Sequence, residues 1–312
     1  MLFTGSAPAL ITPFTHEGDI DEAAFCALID HQIASGSSAL VVLGTTGENA
    51  TISLKERTRL VALSVEHVHQ RVPLIVGTGN NSTDESIRFS VEASRLGADG
   101  LLVVGPYYNK PPQRGFQAHV KAIAHAISCP IILYNVPSRT GFDATTECIL
   151  ELAHEVPSVI GVKEASGDLA KVADLIKGRP DGFTVYSGDD EWTLFFLALG
   201  GDGVISVVGN VLPGLMSHLV KLGLEGNIKE AADLHYSLLF AMRACFLDTN
   251  PIPVKAVLSR LGQALPYLRL PLVEMTKEQE EMVMSDFSDA LQMERALHQN
   301  HLAHSYDSGT HS

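Results

Sequence analysis

Short apolar runs alternate along the chain with longer segments in which apolar residues return every three or four positions. The runs fall at residues 7–11, 39–43, 74–77, 100–104, 130–134, 159–163, 183–187 and 203–207. Each is nearly continuous in its hydrophobicity and gives way to polar, turn-prone residues, the pattern of a parallel strand buried on both faces. The segments between them carry helix spacing and helix ends. Asp21 opens a helix that stops before Gly36. Ser53, with Glu56 three residues on, forms a capping box for a helix over 54–69. A helix over 82–96 stops at Gly97, and one over 191–199 stops at Gly200 and Gly201.

A strand, a helix and the next strand within about thirty residues make a βαβ unit. Eight such units predict an α/β fold, a closed (β/α)8 TIM barrel over 1–225. The alternative, a doubly wound open sheet, usually has fewer strands and a GxGxxG after the first of them, and no such motif stands there. Beyond Gly226 the strand pattern ceases. Residues 228–247, 253–261 and 276–296 read as helices, giving a C-terminal helical subdomain over 226–296. Residues 297–312 mix His298, His301, His304 and His311 with Ser, Gly, Asn and Asp, and are expected to form a disordered tail. With no rigid element to hold these imidazoles, no metal site is expected among them.

Composition narrows the partners. The chain of 312 residues is 46% hydrophobic and 19% charged, with a formal net charge of -14 at pH 7. It has no basic stripe for phosphates, so no nucleic-acid partner is expected. Overall acidity still permits an anionic substrate, because a site needs only one or two local cations. No apolar run reaches the length of a membrane span. The opening MLFTGSAPALITPF lacks the basic start of a secretory signal. Cys26, Cys129, Cys148 and Cys245 are far apart and in no metal-like spacing, which predicts reduced, mostly buried thiols in a cytoplasmic protein.

Candidate chemistry gathers at the ends of the apolar runs, the face on which barrel active sites form. Residues 131–141 read IILYNVPSRTG and residues 159–168 read VIGVKEASGD, placing Tyr134 and Lys163 at the polar ends of two neighbouring strands. A phenol and an amine would then share one mouth. Lysine is seldom buried. An ion pair with a nearby acid such as Glu164 would account for it. So would a nucleophile, since an amine among apolar neighbours can lose its proton and attack a carbonyl as a Schiff base forms. The GTTGE segment after the second run offers backbone N–H groups and the hydroxyls of Thr45 and Thr46 to an anion, although ordinary turns use the same residues. Arg139 could grip a carboxylate in a bidentate fork or brace its own loop. Tyr107 and Tyr108 lie on a loop stiffened by Pro106 and Pro111, suited to interface packing or to a site. Gly188, Asp189 and Asp190 follow the seventh run, and Ile205, Ser206 and Gly209 end or follow the eighth. The two acids read as helix caps rather than metal ligands, because no other carboxylate or histidine shares a ligand spacing with them.

GTTGE, PYYN, YNVPSRTG, GVKEASGD, SGDD, GVISV and NPIPVK occur in this order along nearly the whole chain. The set resembles the bacterial 4-hydroxy-tetrahydrodipicolinate (dihydrodipicolinate) synthases, pyruvate-dependent class I aldolases of lysine and diaminopimelate biosynthesis. The resemblance covers about residues 3–295 and leaves out the histidine-bearing tail. It implies a lyase that condenses pyruvate with L-aspartate 4-semialdehyde and needs no metal or organic cofactor. Lys163 would form the imine with pyruvate. Tyr134, Thr45 and Tyr108 would relay protons, with Tyr108 donated across a tight dimer interface. Thr46 would hold the pyruvate carboxylate, Arg139 would bind the carboxylate of the aldehyde, and Gly188 and Ile205 would complete the substrate site. A homotetramer of two tight dimers is implied.

The positions that match the lysine-feedback site of such enzymes are Ala50, Leu54, Arg57, Asn81, Glu85 and Tyr107. Inhibited bacterial enzymes typically carry histidines where this chain has Leu54 and Arg57, which puts feedback in doubt. Two other readings stand beside this one. A sibling aldolase acting on sialic or keto-deoxy-sugar acids would share the lysine and tyrosine but generally lacks an arginine at 139. A catalytically silent barrel serving as a scaffold would have no need of Lys163, Tyr134, Thr45 and Tyr108 together.

Overall fold

The structure, a computed structural model, describes residues 1–307, with side chains as far as Gln299. Eight strands follow one another: Gly5–Pro8 (β1), Leu40–Val42 (β2), Leu74–Gly77 (β3), Gly100–Val104 (β4), Ile131–Asn135 (β5), Val159–Glu164 (β6), Thr184–Ser187 (β7) and Gly203–Ser206 (β8). Every pairing is parallel, running from β2 through β8 to β1. The ring closes between β1 and β2 through the Ala9–Val41 bridge, Ser38 N–H to Ser6 O at 2.8 Å and Leu10 N–H to Val41 O at 2.8 Å. This is the expected TIM barrel.

One run is displaced. The apolar pattern puts the first strand at residues 7–11, yet β1 occupies Gly5–Pro8. The Ala9 N–H still reaches Ser206 O of β8 at 2.8 Å and the Leu10 N–H reaches Val41 O of β2, but the Ile11 N–H is taken by the Asn210 side chain at 3.0 Å instead of by a strand. Leu10, Ile11 and Phe14 are buried all the same. For Ile11 and Phe14 the apolarity reports burial rather than ladder pairing.

Alternate residues of the strands fill the barrel, among them Ala7, Val41, Ile75, Leu102, Ile132, Tyr186 and Ile205. Their neighbours face outward into a larger core shared with the helices. In β6 this alternation is interrupted. Ile131 pairs with Val159, but Ile132 pairs with Gly161, so Ile160 is an extra residue, a β-bulge. From there Leu133 faces Val162 and Tyr134 faces Lys163. Gly161 is required at the bulge, since a Cβ there would lie 2.2 Å from Thr184 Oγ1 and 2.8 Å from Thr184 O.

The helices begin as their caps dictate. They are Glu22–Ala34 (α1), Leu54–Val68 (α2), Thr83–Leu96 (α3), Gln113–Ala126 (α4), Pro137–Thr140 (α5), Thr146–Glu155 (α6), Leu169–Gly178 (α7), Thr193–Ala198 (α8) and Pro213–Leu224 (α9). Asp21 caps α1, Ser53 and Glu56 form the capping box of α2, and Gly97 ends α3 with a φ of 104°. The expected 191–199 helix is divided, a 3-10 turn over Asp190–Trp192 leading into α8.

Ile228–Ala244 (α10), Ile252–Arg260 (α11) and Lys277–Asp307 (α12) complete the chain. The last helix passes the expected end at residue 296 and runs to Asp307. Its residues have partners to dock on. The Glu294 carboxylate accepts the Gly214 and Leu215 N–H groups at the start of α9, at 2.7 and 2.8 Å. His298 lies 3.2 Å from Glu294 Oε1 and 3.4 Å from Ser35 Oγ. The rest of the expected tail, 308–312 with His311, lies outside the described residues. Among the described residues, no helix is long and apolar enough to cross a membrane.

Candidate active site

A cavity of about 420 Å³ opens at the C-terminal ends of the strands. It brings together Thr45 and Thr46 after β2, Tyr134 at the end of β5, Arg139 on α5, Lys163 at the end of β6 and Gly188 after β7. A larger hollow of about 780 Å³ lies on the other side of the barrel, between the start of β1, the end of α1, α9 and α12. It contains none of the candidate residues.

Lys163 points into the barrel and is only 4% exposed. Its Nζ lies 4.3 Å from the centroid of the Tyr134 ring, the register neighbour delivered by the bulge. Glu164 does not pair with it. Glu164 faces outward, accepting the Asn135 side-chain amide at 2.9 Å and the Ser166 N–H at 2.6 Å. Among the described residues Lys163 therefore has no carboxylate in ion-pair contact, and the bland account of a buried lysine fails.

The GTTGE loop is held from beneath and from the side. Thr12 Oγ1 donates to Gly47 O at 2.8 Å. Glu48 adopts a left-handed backbone, with a φ of 53°. Its carboxylate is buried against Lys255 at 2.5 Å, the two side chains being 1% and 0% exposed. Lys255 also donates to Tyr267 O at 2.9 Å and lies over the Phe14 ring. Burial lowers the Lys255 pKa to about 8 against the favourable pull of Glu48. The Arg269 N–H adds a bond to Glu48 at 3.1 Å.

Asn250 is a site residue that sequence reasoning misses. Its Nδ2 donates to Thr46 Oγ1 at 2.9 Å, and its backbone oxygen accepts from Arg139 at 3.4 Å. Its Oδ1 is buried without a partner among the described residues, beside the cavity. NPIPVK stands out as a motif, but nothing in its local pattern tells that Asn250 folds back onto residue 46.

The two acids after β7 diverge. Asp189 does cap, accepting the Glu191 N–H at 3.1 Å, and it also lines the cavity. Burial, then the nearby Asp190 charge, raises its pKa to about 6. Asp190 is not an ordinary cap. It is fully buried and ties β7 to β8, accepting from Ser206 Oγ at 2.5 Å and from the Val207 and Val208 N–H groups at 3.0 and 2.8 Å. Burial raises its pKa as well, against these donors.

Three expected sets fall differently. Ile205 is wholly buried inside the barrel, and Val207 forms the cavity wall in its place. Tyr108 is 89% exposed, has a φ of 73° and does not reach the cavity of its own chain. In the feedback set, Ala50 and Leu54 are exposed, whereas Arg57 is 5% exposed and turned inward. Its guanidinium donates to Gly77 O at 2.7 Å and lies 4.3 Å from the Phe89 ring centroid. Asn109 Nδ2 donates to Asn81 O at 2.8 Å, and Glu85 pairs with Arg88.

A closed parallel barrel with a buried amine and a phenol in the mouth at its strand ends defines a barrel lyase of the Schiff-base class. The family model described as the dihydrodipicolinate synthetase family matches residues 2–290, and the chain belongs to that family. It is 58% identical over 293 residues to the 4-hydroxy-tetrahydrodipicolinate synthase of Salinibacter ruber, covering 93% of this chain and 97% of the relative. The structure of the 4-hydroxy-tetrahydrodipicolinate synthase from Methylacidiphilum fumariolicum superposes with a TM-score of 0.92 at 40% identity, covering 95% and 98% of the two chains. A chloride-inhibited dihydrodipicolinate synthase from Acinetobacter baumannii, complexed with pyruvate, gives 0.90 at 38% identity, covering 92% and 98%.

Proposed function

We propose that this chain condenses pyruvate with L-aspartate 4-semialdehyde to give 4-hydroxy-tetrahydrodipicolinate, a step of lysine and diaminopimelate biosynthesis. The observation that carries the reading is Lys163, buried with no counter-ion among the described residues in a cavity that also holds Tyr134, Thr45, Thr46 and Arg139. The amine attacks the pyruvate ketone, and loss of water leaves an iminium. That cation draws electrons from the methyl group, which gives up a proton to form the enamine, and the enamine carbon attacks the aldehyde. Tyr134 lies against the reacting nitrogen and shuttles protons with Thr45. Thr46, oriented by Asn250, holds the pyruvate carboxylate, and Arg139 holds that of the aldehyde.

Tyr108 completes the relay from a second copy. Its exposure and its left-handed backbone suit a side chain presented outward to a neighbour. A second apolar set, Phe195 on α8 and Tyr236 and Phe240 on α10, is exposed and suits the contact that joins two dimers into a tetramer. The four cysteines are free, three of them buried, in keeping with a cytoplasmic enzyme.

The test is borohydride reduction with pyruvate, followed by peptide mapping and an assay with L-aspartate 4-semialdehyde. One pyruvate-derived mass is expected on the peptide that contains Lys163. A label on Lys110 or Lys255, or faster turnover with N-acetylmannosamine, would overturn the assignment.

Feedback by lysine is weak in this reading. Arg57 already has its own partners inside the protein, and Leu54 offers no polar contact. Titration of the purified enzyme with lysine at saturating pyruvate is expected to give half-inhibition no tighter than about 1 mM. Sub-millimolar inhibition would show that Arg57 leaves Gly77 to grip the ligand.

A further inference from the structure

Taking the proposed condensation as given, we infer that Asp189 is the residue that receives the α-ammonium group of the aldehyde substrate and removes its proton for ring closure. The aldehyde carries both a carboxylate and an ammonium on one carbon. A cavity that recognises it needs an anion as well as the cation supplied by Arg139. Two carboxylates line the cavity, Asp189 and Asp248.

Position separates them. Ring closure brings the substrate nitrogen to the carbon bonded to Lys163 Nζ, so the carboxylate required is the one beside that lysine. Asp189 follows directly on β7, whose Tyr186 pairs in register with Lys163 and whose end is joined to β6 by the Gly188 N–H to Glu164 O bond at 2.8 Å. Asp248 lies instead beyond α10, with Oδ1 occupied by the Thr249 N–H at 2.6 Å. Both acids use Oδ1 for a local N–H and have no hydrogen bond at Oδ2 among the described residues, so it is the place of Asp189 at the end of β7 that sets it apart. Its raised pKa, about 6, suits a proton acceptor, because the carboxylate is ionised at neutral pH yet closer to holding a proton than an exposed aspartate is.

The step balances. After the aldol addition, the ammonium gives one proton to the Asp189 carboxylate and becomes a neutral amine. The amine attacks the iminium carbon, a new C–N bond forms and the π pair passes to the Lys163 nitrogen. A proton moves from the new ring nitrogen to that nitrogen. The ring nitrogen lone pair then expels Lys163 as the free amine, the cyclic iminium so formed gives up its remaining N–H proton to solvent to become the product imine, and the Asp189 carboxyl returns its proton to solvent.

Asp189→Asn keeps the capping oxygen and removes only the charge, so the experiment compares this variant with the unaltered enzyme on two aldehydes. One is L-aspartate 4-semialdehyde. The other is succinic semialdehyde, the same chain without the amino group. In Asp189→Asn the KM for aspartate semialdehyde is expected to rise roughly ten- to hundredfold, while that for pyruvate changes by less than about threefold. An open adduct of pyruvate and aspartate semialdehyde should accumulate on Lys163, visible by mass after borohydride. Adduct formation with succinic semialdehyde should proceed as in the unaltered enzyme, and Asp189→Glu should restore part of the loss. Equal losses with both aldehydes, no loss with either, or the same selective defect in Asp248→Asn but not in Asp189→Asn would each overturn the inference. Failure of the unaltered enzyme to trap pyruvate or to consume aspartate semialdehyde would strike the proposed function instead.

Discussion

At the scale of single residues, the proposed reaction divides its work on two substrates between Lys163 and Arg139. Arg139 sits on α5 and lines the cavity, with one hydrogen bond among the described residues, at 3.4 Å to the backbone of Asn250. Replacing it with alanine removes a charge-assisted contact worth about 1.5–3 kcal/mol. The expected outcome is a roughly ten- to hundredfold fall in kcat/KM for the aldehyde acid, with pyruvate trapping on Lys163 retained. Steady-state kinetics with each substrate varied in turn would check it, and an equal loss for both substrates would mean that Arg139 braces its loop. These residues were legible because each departs from its surroundings: an amine closing an apolar run, a guanidinium in a turn. Asn250 was not, because an asparagine before proline is an ordinary turn residue and its partner lies 204 positions away.

At the scale of elements, the helix starts and strand runs could be read because caps and periodicity are local. The tertiary ties could not. Arg269 lies in the irregular stretch between α11 and α12, yet it donates to the Glu56 carboxylate of the α2 capping box, to Thr51 O at 2.9 Å and to Gly18 O at 2.7 Å. Arg269 in particular, with Ser53, holds the Glu56 pKa down at about 2 from an ordinary 4.5. A carboxyl whose pKa is lower in the folded state stabilises the fold fully above its unfolded value, and that contribution is lost as pH falls from about 4.5 towards 2. Arg269→Gln is therefore expected to flatten the acid limb of the melting-temperature profile below pH 4.5 without abolishing it. Glu22 and Asp30, paired with Arg59 and Arg71, contribute to the same limb. A profile parallel to that of the unaltered protein would show that the contact is not formed in solution.

At the scale of the whole molecule, the C-terminal helices do more than cover the barrel. α11 carries Lys255 into contact with Glu48, and the segment before it carries Asn250 to Thr46, so the GTTGE loop is fixed by residues more than two hundred positions further on. Removing one member of a buried pair leaves the other charge uncompensated, at a cost of about 3–5 kcal/mol. Glu48→Gln should lower the denaturation midpoint accordingly and weaken pyruvate binding at the same time. Glu48→Gln combined with Lys255→Met should recover much of the stability. Recovery of stability without recovery of pyruvate affinity would show that the pair positions the loop as well as holding the fold. A single variant as stable as the unaltered protein would remove the pair from any structural account. The barrel was legible in the order of its runs, but this bolt between its two ends was not. The sequence marks Glu48 only as a turn glutamate and Lys255 only as one helical lysine among others.

The bulge at Ile160 shows that the chemistry depends on a count as much as on identities. A strand has two faces, so a side chain's address is even or odd. Up to Val159 the numbering of β6 is in step with β5 at an offset of 28, and beyond the bulge the offset is 29. That single unit is what sends Lys163 inward and Glu164 outward. Without it Tyr134 would face Val162, Lys163 would stand opposite Asn135 among the helices, and Glu164 would be the next side chain offered to the mouth. The same residues in the same order would then present a carboxylic acid where the reaction needs an amine. A protein with every catalytic residue intact can thus lose its reaction to one deletion within β6 between Val159 and Lys163, whereas a change of two, if the strands still pair, would restore the parity.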